Sequence, residues 1–432
     1  MRFMKYVQAV KRLARRSYLV RGLLAACVFL FVARGSSAQA LTPAWVELGE
    51  DGKALARIVV NTPQDCPAIQ IDGSSRPMSL RPNMPDGLRP ACEFAIPAGT
   101  KTASVNSHAL ALPKSNPTEI IAIGDTGCRI KGQQIQACND PAVWPFREVA
   151  SSAAAEKPNL VIHVGDYLYR ESPCPEALQA ECGGSPVGDN WDAWNADFFA
   201  PSAELLSAAP WAFSRGNHED CNRSWRGWFY YLDPRPWDGK KCEEYSAPYV
   251  VKLGNFQVAM LDSASLNENV VDEEQLGITV KQLDSLQVKD AWLATHHPFW
   301  GFYMDRRSGL PKPTTPVLEE AWDKSGPKNF SLILSGHIHL FEYVSADNGR
   351  PPQIVAGDGG TKMDVPIEIS VKGANIRGAT VNGGRIKEKF GYTLLTKEGK
   401  YWHLELKDQD RRVLVTCTVP GSSESCLSAG MD

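Results

Sequence analysis

The hydrophobic and polar positions of this chain fall into three textures. Between residues 41 and 115 the apolar runs are short and β-like, at 54–61, 68–71, 93–96 and 103–112, and Pro- and Gly-rich turns such as 81–89 separate them. From Thr118 onward five apolar runs (119–123, 160–164, 211–214, 291–295 and 331–334) each stop abruptly at a polar cluster. The stretches 189–206 and 273–288 between them read as helices or lids. Beyond residue 380 period-two alternation returns. Residues 390–408 predict a hairpin turning at 397–400, with 411–419 beside it.

Strands alternating with helices predict an α/β layer structure over 118–420, preceded by a small β-sandwich-like domain over 41–115. Residues 113–117 form the linker, and 421–432 form a polar tail pinned by Cys426.

Residues 1–40 change the picture of the whole chain. A basic start, an apolar core at 22–33 and the small residues Ser36–Ala40 predict a signal peptide cleaved after Ala40. The apolar core is too short for a confident span, no other span is predicted, and an exported protein, periplasmic or extracellular, is expected. Eight of the 46 basic residues and none of the 49 acidic ones lie there, so the mature chain carries about −11 and is ill suited to gripping nucleic acid. Removing Cys27 leaves ten cysteines in sequential pairs. Joining neighbours gives 66–92, 128–138, 174–182, 221–242 and 417–426. Zinc ribbons are disfavoured, because no CxxC knuckle occurs.

The chemistry gathers at the ends of the five runs: Gly124-Asp125-Thr126-Gly127, Gly165-Asp166 to Tyr169, Gly216-Asn217-His218-Glu219, His296-His297-Pro298, and Gly336-His337-Ile338-His339. Open α/β sheets hold ligands at such carboxyl edges. Oxygen and imidazole donors in this mixture suit two adjacent cations of zinc, iron or manganese type, one carboxylate bridging them. His163, inside a run, reads as a satisfied histidine, either in the core or supporting the donors from behind, and Gly357–Gly360 reads as a turn.

The ordered set GDxG, GDxxY, GNHE, HxP and GHxHxxE resembles the purple acid phosphatase branch of the calcineurin-like metallophosphoesterases, across roughly residues 118–364. The resemblance implies that family's α/β/β/α sandwich. It also implies two metal ions: Fe(III) held by Asp125, Asp166, Tyr169 and His339, and Zn, Mn or Fe(II) held by Asn217, His296 and His337, with Asp166 bridging. His218 is then a catalytic residue facing the phosphate. His297 follows a ligand and is open to either a catalytic or a structural role. Glu219 and Glu342 are expected to orient ligand imidazoles. Trp300, Phe302 and Tyr303 are expected near the pocket. The implied activity is cleavage of small phosphate monoesters by a metal-bound hydroxide, of acid phosphatase type. The alternatives are a phosphodiesterase or nucleotidase on the same core, and a non-catalytic exported binding protein. Oligomeric state is not readable.

Overall fold

The computed structural model describes residues 40–326, 329–421 and 426–428. The expected signal peptide lies outside these residues, apart from Ala40. Among the described residues no helix is long and apolar enough to cross a membrane.

The five apolar runs are strands buried on both faces, which is why they read as continuous rather than alternating. Ile120, Ala122, Leu160, Ile162, Leu332 and Leu334 face a central core shared by two sheets. Their neighbours Ile121, Ile123 and Val161 face an outer layer with Phe146 and Val149 of the helix Phe146–Ala155. Ile333 faces the opposite outer layer, with Leu276 and Leu283 of Glu273–Ser285 and Val317 and Leu318 of Pro316–Ser325. Helix, sheet, sheet and helix layers result.

In the eleven-stranded sheet, Glu119–Ile123, Leu160–His163 and Trp211–Phe213 lie side by side and parallel. The eight-stranded sheet holds Phe256–Met260, Ala291–Ala294, Phe330–Ser335 and Gln353–Ala356, also parallel. Both sets point their carboxyl ends toward the same edge of the sandwich. The hairpin Gly391–Glu398 with Tyr401–Asp408 pairs onto Glu119–Ile123, and Val413–Val419 follows it.

The strand-rich N-terminal region is present, and it joins the larger sheet edge to edge. Trp45–Leu48 runs parallel to Trp211–Phe213, with Glu47 opposite Trp211, and then pairs antiparallel with Ala54–Val59. All five cysteine pairs form as the sequential order predicts.

One buried acid in the outer helix layer gives a measurable pH dependence. Burial of Glu319 pushes its carboxyl from an ordinary 4.5 up to about 7, against the opposing pull of Arg377 and Arg350. The folded state therefore holds this proton more tightly than the unfolded chain. Its stabilising contribution is complete below pH 4.5 and is lost as pH rises through about 7. With each pKa unit worth about 1.4 kcal/mol, Glu319→Gln is expected to match the parent in urea midpoint at low pH and exceed it near pH 8. Equal midpoints near pH 8 would refute the assignment.

Candidate metal centre

Each expected donor sits just past the carboxyl end of its strand, and the two sheets each supply part of one cluster. Three donors hold unusual backbone: Asp125, Asp166 and His337 have φ of 54°, 61° and 74°. Left-handed backbone costs of order 1–3 kcal/mol at a non-glycine residue and persists only where its surroundings enforce it. Close approach explains Gly216, where an added Cβ would lie 2.1 Å from Asp166 Oδ1. Gly165 has φ +103°, and a Cβ there would lie 2.5 Å from His296 Nδ1.

Tyr169 is the hub of the first group of donors. Its hydroxyl lies 2.6 Å from Asp166 Oδ2, 3.1 Å from Asp125 Oδ1 and 2.9 Å from His339 Nε2. Burial and the two carboxylates push the phenol well above its ordinary pKa. In the protein alone it therefore keeps its proton and donates it to Asp166. His339 fixes its ring by donating from Nδ1 to the Lys362 carbonyl at 2.8 Å, which leaves the Nε2 lone pair facing Tyr169 and Asp125.

The second group repeats this device. His296 Nδ1 donates to the Val164 carbonyl at 2.8 Å, and Nε2 faces Asn217 Oδ1 at 3.0 Å and Asp166 Oδ1 at 3.3 Å. Burial opposes charging this ring, yet Asp166 and Asp125 raise its pKa to about 9. A lone pair aimed at carboxylate oxygens needs a positive species between them, and a proton takes that place when no cation does. The donors thus fit a pair of cations: buried oxygen and imidazole atoms, with ring tautomers set by backbone carbonyls. His337 stands beside them, its ring centroid 5.2 Å from His296 and 4.3 Å from His297. Its backbone N–H donates to Asp125 Oδ2 at 2.9 Å.

His218 and His297 flank these groups from opposite sides. The His218 ring packs 3.7 Å from the Tyr169 ring, its backbone N–H donates to Asp166 Oδ1 at 2.9 Å, and its Nδ1 lies against Glu171. Burial pushes its pKa below the ordinary value, with Asp166 and Glu171 pulling the other way. Burial would raise Glu171, but His218, Arg223 and Lys131 outweigh it and hold the acid at about 2. His297 takes the Ser263 hydroxyl as partner for its backbone N–H at 2.9 Å and its Nδ1 at 3.3 Å, and its buried Nε2 has no hydrogen-bond partner.

Several expectations are corrected by the contacts. Glu219 accepts from the backbone N–H groups of Gly216, Asp166, Tyr167 and Leu168, so it holds the turn that carries Asp166 rather than an imidazole. Glu342 accepts from the Phe302 N–H. Trp300 and Phe302 are fully buried, and of the three aromatics only Tyr303 reaches the cavity of about 330 Å³ beside His337, with Arg306, Asp364 and Glu268. His163 is a satisfied core histidine, bonded to Thr126 Oγ1 and the Gly165 N–H. Glu171 and Glu268 escaped notice in the sequence. Glu171 had a weak signal, two positions past Tyr169; Glu268 sits in a loop without a motif.

This fold and donor set define a metal-dependent hydrolase of phosphate esters. Residues 118–341, more than half the chain, match the calcineurin-like phosphoesterase family, and the chain belongs to it. Two solved structures share the fold. A purple acid phosphatase isolated from yellow lupin (Lupinus luteus) seeds superposes with a TM-score of 0.58 at 14% identity, over 91% of this chain and 78% of its own. PhoD gives 0.53 at 12% identity, over 92% and 93%. No curated protein sequence matches the chain. The family implies a dinuclear metal centre and a small phosphorylated substrate.

Proposed function

We propose that this chain is an exported acid phosphatase of the purple type, hydrolysing phosphate monoesters. The single observation that carries the proposal is the buried Tyr169 hydroxyl, within 3.1 Å of Asp125, Asp166 and His339. A phenolate is a hard anionic donor that favours a trivalent ion. Asp125, Asp166, Tyr169 and His339 would hold Fe(III). Asn217, His296 and His337, with Asp166 shared, would hold Zn, Mn or Fe(II). When bound, such a pair neutralises phosphate charge and makes water a competent nucleophile at ordinary pH. The chain's own residues do the rest. His218, positioned by Glu171, stands over Tyr169 to meet the phosphate and pass a proton to the departing alcohol. Glu219 and the Val164 and Lys362 carbonyls keep the donors aligned. Five disulfides suit an oxidising compartment.

The test is the metal content and visible spectrum of protein purified without added metal. Two ions per chain including iron are expected, with a broad charge-transfer band that Tyr169→Phe abolishes. Two ions without a band would remove the iron–tyrosinate assignment and leave a zinc or manganese hydrolase. A nucleotidase is favoured by one feature only, Tyr303 and Arg306 lining the cavity next to His337. Comparing turnover of a nucleoside monophosphate with that of a simple alkyl phosphate decides between them.

A further inference from the structure

Glu268 lies outside every sequence motif, on the loop that follows the carboxyl end of Phe256–Met260. That loop is built rather than loose. Asn267 Oδ1 accepts from the N–H groups of Asn269 and Val270, and Gln275 Oε1 accepts from the N–H of Asn267. The loop carries the Glu268 carboxylate over the second group of donors. Its Oε1 is 3.7 Å from His297 Nε2 and accepts from Asn217 Nδ2 at 3.2 Å. Its Oε2 is 3.6 Å from His337 Nε2. Donor atoms of Glu268, His297 and His337 all lie within 4.8 Å of one another.

We propose that Glu268, His297 and His337 form a divalent-cation site, so that Glu268 is an additional metal ligand at the second metal position. The inference rests on the proposed function for the role of His337.

Two observations carry it. Separations of 3.6 and 3.7 Å are too long for hydrogen bonds between carboxylate and imidazole. They fall within the roughly 3.0–4.2 Å that separates two ligand atoms each standing about 2.1 Å from one cation of four to six ligands. The buried Nε2 of His297 has no hydrogen-bond partner and faces this carboxylate. A wholly buried imidazole nitrogen without a partner is costly, and a cation between Nε2 and Oε1 removes that cost. The donor set, one carboxylate and two imidazoles, suits Zn(II) or Mn(II). The half-exposed Glu268 also lines the cavity of about 330 Å³, so the site opens toward solvent and leaves room for substrate.

The experiment is calorimetric titration of the metal-free full-length protein with Zn(II), and separately with Mn(II). The parent, Glu268→Gln, His297→Gln and Asp125→Asn are compared, with far-ultraviolet circular dichroism confirming that each is folded. The parent is expected to show two binding events. Glu268→Gln and His297→Gln should each weaken the same one by about tenfold or more and leave the other unchanged, whereas Asp125→Asn weakens the other. A Glu268→Asp variant should recover part of the loss. If both Gln variants titrate like the parent, the inference is overturned while the two-metal hydrolase stands. It is equally overturned if Glu268→Gln raises turnover with unchanged affinity, since the carboxylate would then only screen the histidines. A parent that binds no cation overturns the inference and the proposed function together.

Discussion

Asp166→Asn is expected to give a folded protein that holds at most one cation and has lost more than about 100-fold of its phosphoesterase activity. That figure is the upper end of what removing an outer partner of a ligand costs, and Asp166 stands closer than that. Its two oxygens serve both groups of donors: Oδ2 meets the Tyr169 hydroxyl at 2.6 Å, and Oδ1 faces His296 Nε2 at 3.3 Å. Asparagine is the informative replacement, because it tolerates the left-handed backbone that Asp166 adopts at φ 61° and keeps the side-chain shape. Only the charge and one oxygen are removed. Desolvation disfavours a charge at this buried position, yet His296 and His218 keep the acid well below the usual carboxylate range. Removing it should therefore also lower the pKa of His296. Metal analysis beside a phosphomonoester assay provides the check. A variant that retains two cations and more than a tenth of the parent activity would remove Asp166 from the bridging role.

Arg57→Ala is expected to cost about 3–5 kcal/mol of stability, the usual effect of stripping one partner from a buried ion pair. Arg57 is fully buried and lies 2.6 Å from Glu47 Oε2. It also donates to the Tyr231 carbonyl at 2.8 Å, to the Asp233 carbonyl at 2.9 Å and to Glu93 at 3.3 Å. Arg81 reinforces the junction through Glu93 at 2.6 Å and the carbonyls of Phe229, Asp233 and Arg235. Burial already pushes the Glu47 carboxyl up to about 8 against the pull of both arginines. Truncating Arg57 leaves that acid and the Tyr231 carbonyl without this donor, and leaves the Asp233 carbonyl to Arg81 alone. The double variant Arg57→Met with Glu47→Leu removes both charges together and should recover most of the loss. Urea midpoints decide the matter. A single variant as stable as the parent would show that the N-terminal strands are held by their β-pairing alone.

Much of the catalytic layer was legible because both faces of its strands are buried. The runs ending at Ile123 and Leu334 close on unbroken apolar residues, the run ending at Val164 is interrupted only by His163, and each stops where the chain leaves the core. The donors were legible for the same reason, since an Asp or His placed at the end of such a run has nowhere to go but the sheet edge. Side-chain direction was not legible. Glu219 and Glu342 lie beside donors in sequence, but their carboxylates turn to backbone N–H groups that the turns leave open. Trp300 and Phe302 follow His296 closely, yet the chain carries them under the surface and leaves Tyr303 outside. Nor did any periodicity mark the pairing of Glu47 with Trp211, which joins residues far apart in the chain. Glu268 belongs to the same class, a loop residue whose significance depends on contacts made across sequence distance.

The five disulfides join residues between 8 and 26 positions apart, and no pair encloses or overlaps another. On a chain delivered from its N-terminus, each cysteine meets its proper partner before any later one arrives. A simple oxidant is then enough to reach the native pairing, with no catalyst needed to reshuffle wrong bonds. None of these links crosses between the two large sheets. Their docking is left to side-chain packing and to the donors that meet at their shared edge.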